Sequence, residues 1–209
     1  MNWQRIAASW GLSSKTLQLA QTVEEELTGP FAAYYELGQE NHLKVLKACQ
    51  KFQLGAYHFA SSTGYGYSDL GRDALEEIFA NYFGTEAALV RPQIASGTQA
   101  ITAALFGLLR PGDELLSITG PPYDTLRTVI GTEGNAVGTL REWGIKYQEV
   151  PLKDGRPDFA AIKSAVGPQT KVIAIQRSRG YSWRPALTIS QIEEMVCAVR
   201  SVSDAVIFC

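Results

Sequence analysis

From Tyr57 onward, short apolar runs alternate with stretches of amphipathic helical spacing, and few topologies accommodate that order. The predicted strands are Ala87–Val90, Glu114–Ile118, Lys146–Val150, Lys171–Ile175 and Ala205–Phe208, with helices expected to start near Thr98, Tyr123, Asp158 and Thr188. Strands joined through helices run parallel, and the crossovers cover both faces of their sheet. The fold class expected is therefore α/β, with a mostly parallel sheet. In open sheets of this class ligands bind outside the carboxyl ends of the strands. The loops that could carry chemistry are those after Val90, Ile118, Ile175 and Phe208.

The first fifty residues read differently. Leu12, Leu19, Ala20, Val23 and Leu27 recur at helical spacing, Ser13 or Ser14 can cap the start, and Gly29-Pro30 is expected to stop the helix. A second helical stretch is predicted from about Phe31 to Leu54, interrupted near Gly38, and Glu24-Glu25-Glu26 reads as a solvated face. The polar, Gly-rich stretch from Ala60 to Ser68 is expected to be a loop. A helix follows, with Leu75, Ile78, Phe79, Tyr82 and Phe83 on one side and Gly84 at its end. The expected division is a helical arm at 1–54 and an α/β domain at 55–209.

With 19 basic and 21 acidic residues, a broad nucleic-acid surface is not expected. Cys49, Cys197 and Cys209 form no even framework, which favours a reducing compartment, and with His42 and His58 they make no metal constellation. No run approaches the roughly 20 apolar residues that span a membrane, and the start of the chain has no apolar signal segment. A cytoplasmic protein is expected.

Three loops carry recognisable chemistry. Ser96-Gly97-Thr98 opens a helix and offers unpaired backbone N–H groups, close approach and two hydroxyls, which suits a phosphate; an ordinary N-cap with a glycine turn has the same appearance. Gly120-Pro121-Pro122-Tyr123 places an aromatic ring at a strand end, either stacked on a flat heterocycle or anchored in the core. Gln176-Arg177-Ser178-Arg179-Gly180-Tyr181-Ser182-Trp183-Arg184 sets several guanidinium groups beyond a buried strand. They could clamp a carboxylate or phosphate, or form a solvated basic loop. The fourth loop, after Phe208, is cut short at Cys209, and the chain reads as truncated.

Taken in order, Tyr65-Gly-Tyr-Ser-Asp-Leu-Gly-Arg72, Ala-Ser96-Gly97-Thr98-Gln-Ala, Gly120-Pro-Pro-Tyr123-Asp and Gln176-Arg-Ser-Arg-Gly-Tyr181 resemble a known family. They are similar to the methionine gamma-lyase-like or aluminium-resistance proteins, in the cystathionine lyase branch of fold-type I pyridoxal-phosphate enzymes. The resemblance implies a fold-type I large domain and pyridoxal 5'-phosphate as cofactor. Gly97 and Thr98 would hold its phosphate, with hydroxyl help from Ser96 or Thr98, and Tyr123 would stack on its ring. Tyr65 or Tyr67 would reach a neighbouring subunit's cofactor, although the Tyr-x-Arg pattern of the branch is not matched. Arg177 and Arg179 would face the substrate.

The resemblance also implies an aspartate for the ring nitrogen and a Schiff-base lysine beyond Cys209, together with the rest of the large domain and the small domain. The expected parent is a carbon–sulfur lyase acting on a sulfur amino acid, by β- or γ-elimination, as a homodimer or homotetramer. This chain alone is expected to be inactive. Other pyridoxal-phosphate reactions, such as transamination or aldol cleavage, stay open, as does a non-catalytic cofactor-binding or pseudogene product. A nucleotide-binding Rossmann domain is disfavoured because no Gly-x-Gly-x-x-Gly follows an early strand.

Overall fold

A short polar side chain stands at the head of most of the helices and satisfies a backbone donor there. Ser13, Asp69, Ser96, Asp158 and Thr188 each accept the N–H three residues on, which is why the helices begin where they do. The computed structural model describes residues 3–63 and 69–209. The chain divides into two compact units, Met1–Pro92 and Gln93–Cys209.

The first unit is helical: α1 (Trp3–Trp10), α2 (Ser14–Lys51), a 3-10 turn (Ala56–Phe59) and α3 (Leu70–Phe83). The expected break at Gly29-Pro30 does not occur, because Pro30 lies inside a single helix of 38 residues. Proline crowds the side chain of the residue before it, and here that residue is glycine, with no Cβ to crowd. Glu26, whose carbonyl loses its helical donor to Pro30, is exposed, as are Gly29 and Pro30, so that carbonyl is not buried away from solvent. Burial in this unit is slight: Ala48, Ala74 and Ile78 are buried, while Leu75, Phe79 and Phe83 of α3 stay exposed.

The expected strand at Ala87–Val90 is also absent; the segment is irregular. The Val90 N–H donates to the Glu76 carboxylate at 3.0 Å, and Arg91 pairs with the same carboxylate. A side chain of α3 thus takes the hydrogen bonding that a neighbouring strand would have supplied.

The second unit holds α4 (Gly97–Leu108), β1 (Glu114–Ser117), α5 (Asp124–Ile130), β2 (Lys146–Glu149), α6 (Phe159–Ala165), β3 (Thr170–Ala174), α7 (Ile189–Arg200) and β4 (Val206–Phe208). The four strands form one parallel sheet in the order β2-β1-β3-β4. Successive residues of a strand point to opposite faces, and the core divides accordingly. Leu116 and Ile173 pack with Ile162 of α6 and with Met195 and Val199 of α7. Leu115 and Val172 pack with Leu105 of α4 and with Leu126 and Ile130 of α5. The sheet is thus covered on both faces, as the alternation predicted.

Within α7 the buried stripe is carried by Met195 and Val199, with Ile192 and Val196 partly buried, while Ile189 is exposed. Gly131 closes α5 at φ +88°, and a Cβ there would meet the Thr139 hydroxyl at 2.6 Å, so both conformation and space require glycine.

Candidate functional site

A sheet of order β2-β1-β3-β4 has one place where the chain changes direction of travel. From β1 it passes to β2 on one side and then returns to β3 on the other, leaving a crevice between the carboxyl ends of β1 and β3. A cavity of about 240 Å³ lies there. Its floor is the strand ends Ser117, Ala174 and Phe208, and its walls include Ile101, Tyr123 and Leu126. The polar part of its rim is Gln176, Arg177 and Ser178. An apolar pocket with a few convergent polar groups is the usual form of a small-molecule site.

Two predicted site residues, Tyr123 and Arg177, therefore line the same cavity. The Tyr123 N–H donates to the Gln176 side-chain oxygen at 3.0 Å, and the Gln176 N–H donates to the Thr119 hydroxyl at 2.9 Å. Gln176 also donates through its side-chain nitrogen to the Ser178 carbonyl at 3.1 Å. One glutamine thus ties the loop after β1 to the loop after β3. In the sequence Gln176 stands out only as the first residue of the arginine-rich motif, with no role of its own.

Ser96, Gly97 and Thr98 form the first turn of α4, one turn before Ile101 in the cavity wall. The Ser96 hydroxyl accepts the Gln99 N–H at 3.1 Å, and the Ser96 carbonyl accepts that of Ala100. The Gly97 and Thr98 N–H groups precede the first acceptors of the helix and have no intrahelical partner. A Cβ at Gly97 would meet nothing within 4 Å, so another group can approach the backbone closely at that position. The Thr98 hydroxyl is 3.3 Å from that of Thr125 on α5, which joins the helix start to the element carrying Tyr123.

Arg179 is exposed and not part of the cavity lining. Its neighbour Arg184 is turned inward, and burial lowers its guanidinium below the usual arginine range. Tyr65 and Tyr67 lie outside the described residues. Among the described residues no group of three or more His, Cys, Asp or Glu could hold a metal ion, and no helix is long and apolar enough to cross a membrane.

Open α/β sheets bind small molecules at such a switch point; here it brings Tyr123 and Arg177 together, while Ser96, Gly97 and Thr98 are not part of the cavity lining. The methionine gamma-lyase family profile matches residues 16–209, and the chain belongs to that family, as its four motifs led us to expect. It is 50% identical over 190 residues to the protein YnbB of Bacillus subtilis, covering 90% of this chain and 45% of that one. The carbon–sulfur lyase involved in aluminum resistance from Clostridium novyi superposes with a TM-score of 0.91 at 40% identity, covering 98% of this chain and 50% of that one. The fold is shared more distantly with the pyridoxal-5'-phosphate dependent protein YhfS of Escherichia coli, at 21% identity and a TM-score of 0.59 over 81% of this chain and 42% of that one. The chain spans about half the length of these relatives.

The residues present are chemically compatible with the pyridoxal 5'-phosphate that the sequence motifs led us to expect. The first N–H groups of α4, which have no intrahelical partner, suit a phosphate dianion, and the cavity has room for a single substituted ring beside Tyr123.

Proposed function

We propose that this chain supplies the phosphate and ring-stacking half of a pyridoxal-phosphate-dependent carbon–sulfur lyase. Its substrate would be a sulfur amino acid, and the chain alone would not turn it over. When bound, pyridoxal 5'-phosphate supplies a sink for the electron pair left when the α-proton of an amino acid is removed.

This chain's residues bind and orient. The Gly97 and Thr98 N–H groups hold the phosphate, with the helix dipole of α4 adding attraction. Tyr123 covers the ring, with its backbone fixed by Gln176. Arg177 takes the substrate carboxylate at the rim, where a guanidinium can bind it bidentately. No lysine, aspartate or glutamate side chain lines the cavity among the described residues. The amine and the ring-nitrogen partner are therefore assigned to the part of the relatives that this chain does not span.

The observation that supports the reading is that Tyr123 lines the cavity between the ends of β1 and β3, partly buried against the core, with its N–H held by Gln176 from the other loop. Titration with pyridoxal 5'-phosphate, followed by equilibrium dialysis, tests it. Saturable, reversible binding is expected, weakened about tenfold by Tyr123→Ala, the size of a lost ring-on-ring contact. Borohydride treatment should label no single lysine, and L-cystathionine should give no keto acid above the free-cofactor background. Failure to bind overturns the site, and turnover above background overturns the division of labour.

A further inference from the structure

The loop that follows β3 is long and polar, yet its two ends are tied together, and Arg184 draws it inward. The guanidinium donates to the Ser178 carbonyl at 2.7 Å, the Pro185 carbonyl at 3.0 Å and the Gln176 carbonyl at 3.3 Å. Beneath it, the Leu187 N–H donates to the Arg177 carbonyl at 3.2 Å, and the Leu187 side chain is buried in the core. Arg177 and its two neighbours therefore have all three carbonyls occupied from the far side of the loop. The tip is free by comparison: Tyr181 and Trp183 are 99% and 95% exposed.

One planar cation with its donors spread over a fork can satisfy carbonyls that point in different directions; a lysine can satisfy fewer, and with less fixed geometry. Arg184 itself is not part of the cavity lining. It acts on the rim only by fixing the backbone that presents Arg177 and Ser178.

We infer that Arg184 is a positioning residue, which holds the Arg177–Ser178 rim so that a carboxylate can be captured there by a side chain Arg184 never touches. This rests on reading the cavity as the ring site with Arg177 facing the substrate carboxylate. It adds that the specificity for an acid group depends on a second arginine outside the pocket.

The test compares the 209-residue chain with its Arg184→Met and Arg184→Lys variants in four measurements. These are the thermal unfolding midpoint, the rate of tryptic cleavage after Arg177, the affinity for pyridoxal 5'-phosphate, and the affinity for 4-methylthiobutanoate with the cofactor present. The last probe is a thioether carboxylate without an amine, so it reports acid capture alone.

For Arg184→Met the expectation is tryptic cleavage about tenfold faster and carboxylate affinity about tenfold lower, the scale of losing charge-assisted hydrogen bonds. Cofactor affinity should stay within about twofold, and the midpoint should move by no more than roughly 3 °C, as for a partly exposed side chain. Arg184→Lys should fall between the two, because lysine restores part of the fork. Unchanged cleavage and carboxylate affinity in Arg184→Met would overturn the inference. So would a joint fall of ring affinity, carboxylate affinity and midpoint, which is the signature of general destabilisation. A wild-type chain that binds neither probe overturns the reading of the cavity itself. That failure remains distinguishable, since the tryptic rate reports the clamp without either ligand.

Discussion

Ser96 has extended backbone angles, φ −153° and ψ 159°, and Gly97 after it is the first helical residue of α4. This conformation is the one that a following proline prefers, and the first helical position is where proline is best tolerated. Gly97→Pro therefore removes one N–H from the proposed phosphate site at little cost to the helix, in a place where added atoms meet open space. The expected result is unchanged stability with cofactor affinity reduced about tenfold, as for loss of one hydrogen bond to a charged group. Dialysis against labelled cofactor checks the second part and circular dichroism the first.

A different residue governs behaviour at high pH. Burial, and then the hydrogen bond and charge of Glu149, push the phenol of Tyr147 well above its ordinary 10.0; the hydroxyl donates to Glu149 at 2.8 Å. A group whose pKa is raised by folding contributes stability that is complete below its unfolded value and is lost as pH rises towards the folded one. Unfolding free energy should therefore fall above pH 10.0. The difference between the wild-type chain and Tyr147→Phe isolates this effect, because other groups titrate alike in both. Parallel curves for the two proteins would contradict it.

Among the elements, α7 is the one whose start is most fully specified by its own residues. Thr188 accepts the Gln191 N–H at 3.2 Å while the Gln191 side chain accepts the Thr188 N–H at 2.9 Å. Thr188→Ala should destabilise the second unit by about 1 kcal/mol in denaturant titrations. Such local rules made much of the structure legible beforehand. Strands β1 to β4 were all predicted in place: β1 and β3 are largely buried apolar runs, whereas the polar, mostly exposed β2 lies between buried Ile145 and Val150. The Ser96 cap and the Tyr123 loop were likewise visible.

What escaped prediction depends on partners far away in the chain. Val90 is claimed by Glu76, fourteen residues earlier, and no periodicity within Ala87–Val90 can register that. Pro30 was misread because its effect depends on the glycine before it and on exposure, which the pattern does not encode. Gln176 and Arg184 were invisible as a pair, since their importance lies in which carbonyls and N–H groups the loops present to them.

For the whole molecule, burial is strongly uneven. Leu116, Ile173, Met195 and Val199 are fully buried in the second unit, whereas among the described residues of the first unit the buried ones are Ala48, Ala74 and Ile78. Amide exchange should be slowest in β1 and β3 and much faster along α2, because local opening there uncovers few apolar contacts. Ile173→Ala is expected to cost 2–5 kcal/mol, of the order found for emptied core positions. It should erase the exchange contrast by collapsing protection in the sheet. Retained slow exchange in β1 of that variant would show that the two core clusters are energetically separable.

The strand order carries a kinetic consequence. β1 must find β2 after a helix and a long loop, then accept β3 on its other edge, and β3 accepts β4 only after another crossover. No hairpin offers an early, cheap nucleus, so every ladder must wait for distant segments to meet. Such a chain spends its first moments with adhesive strand edges uncovered. Cool expression and dilute refolding should favour recovery of this polypeptide.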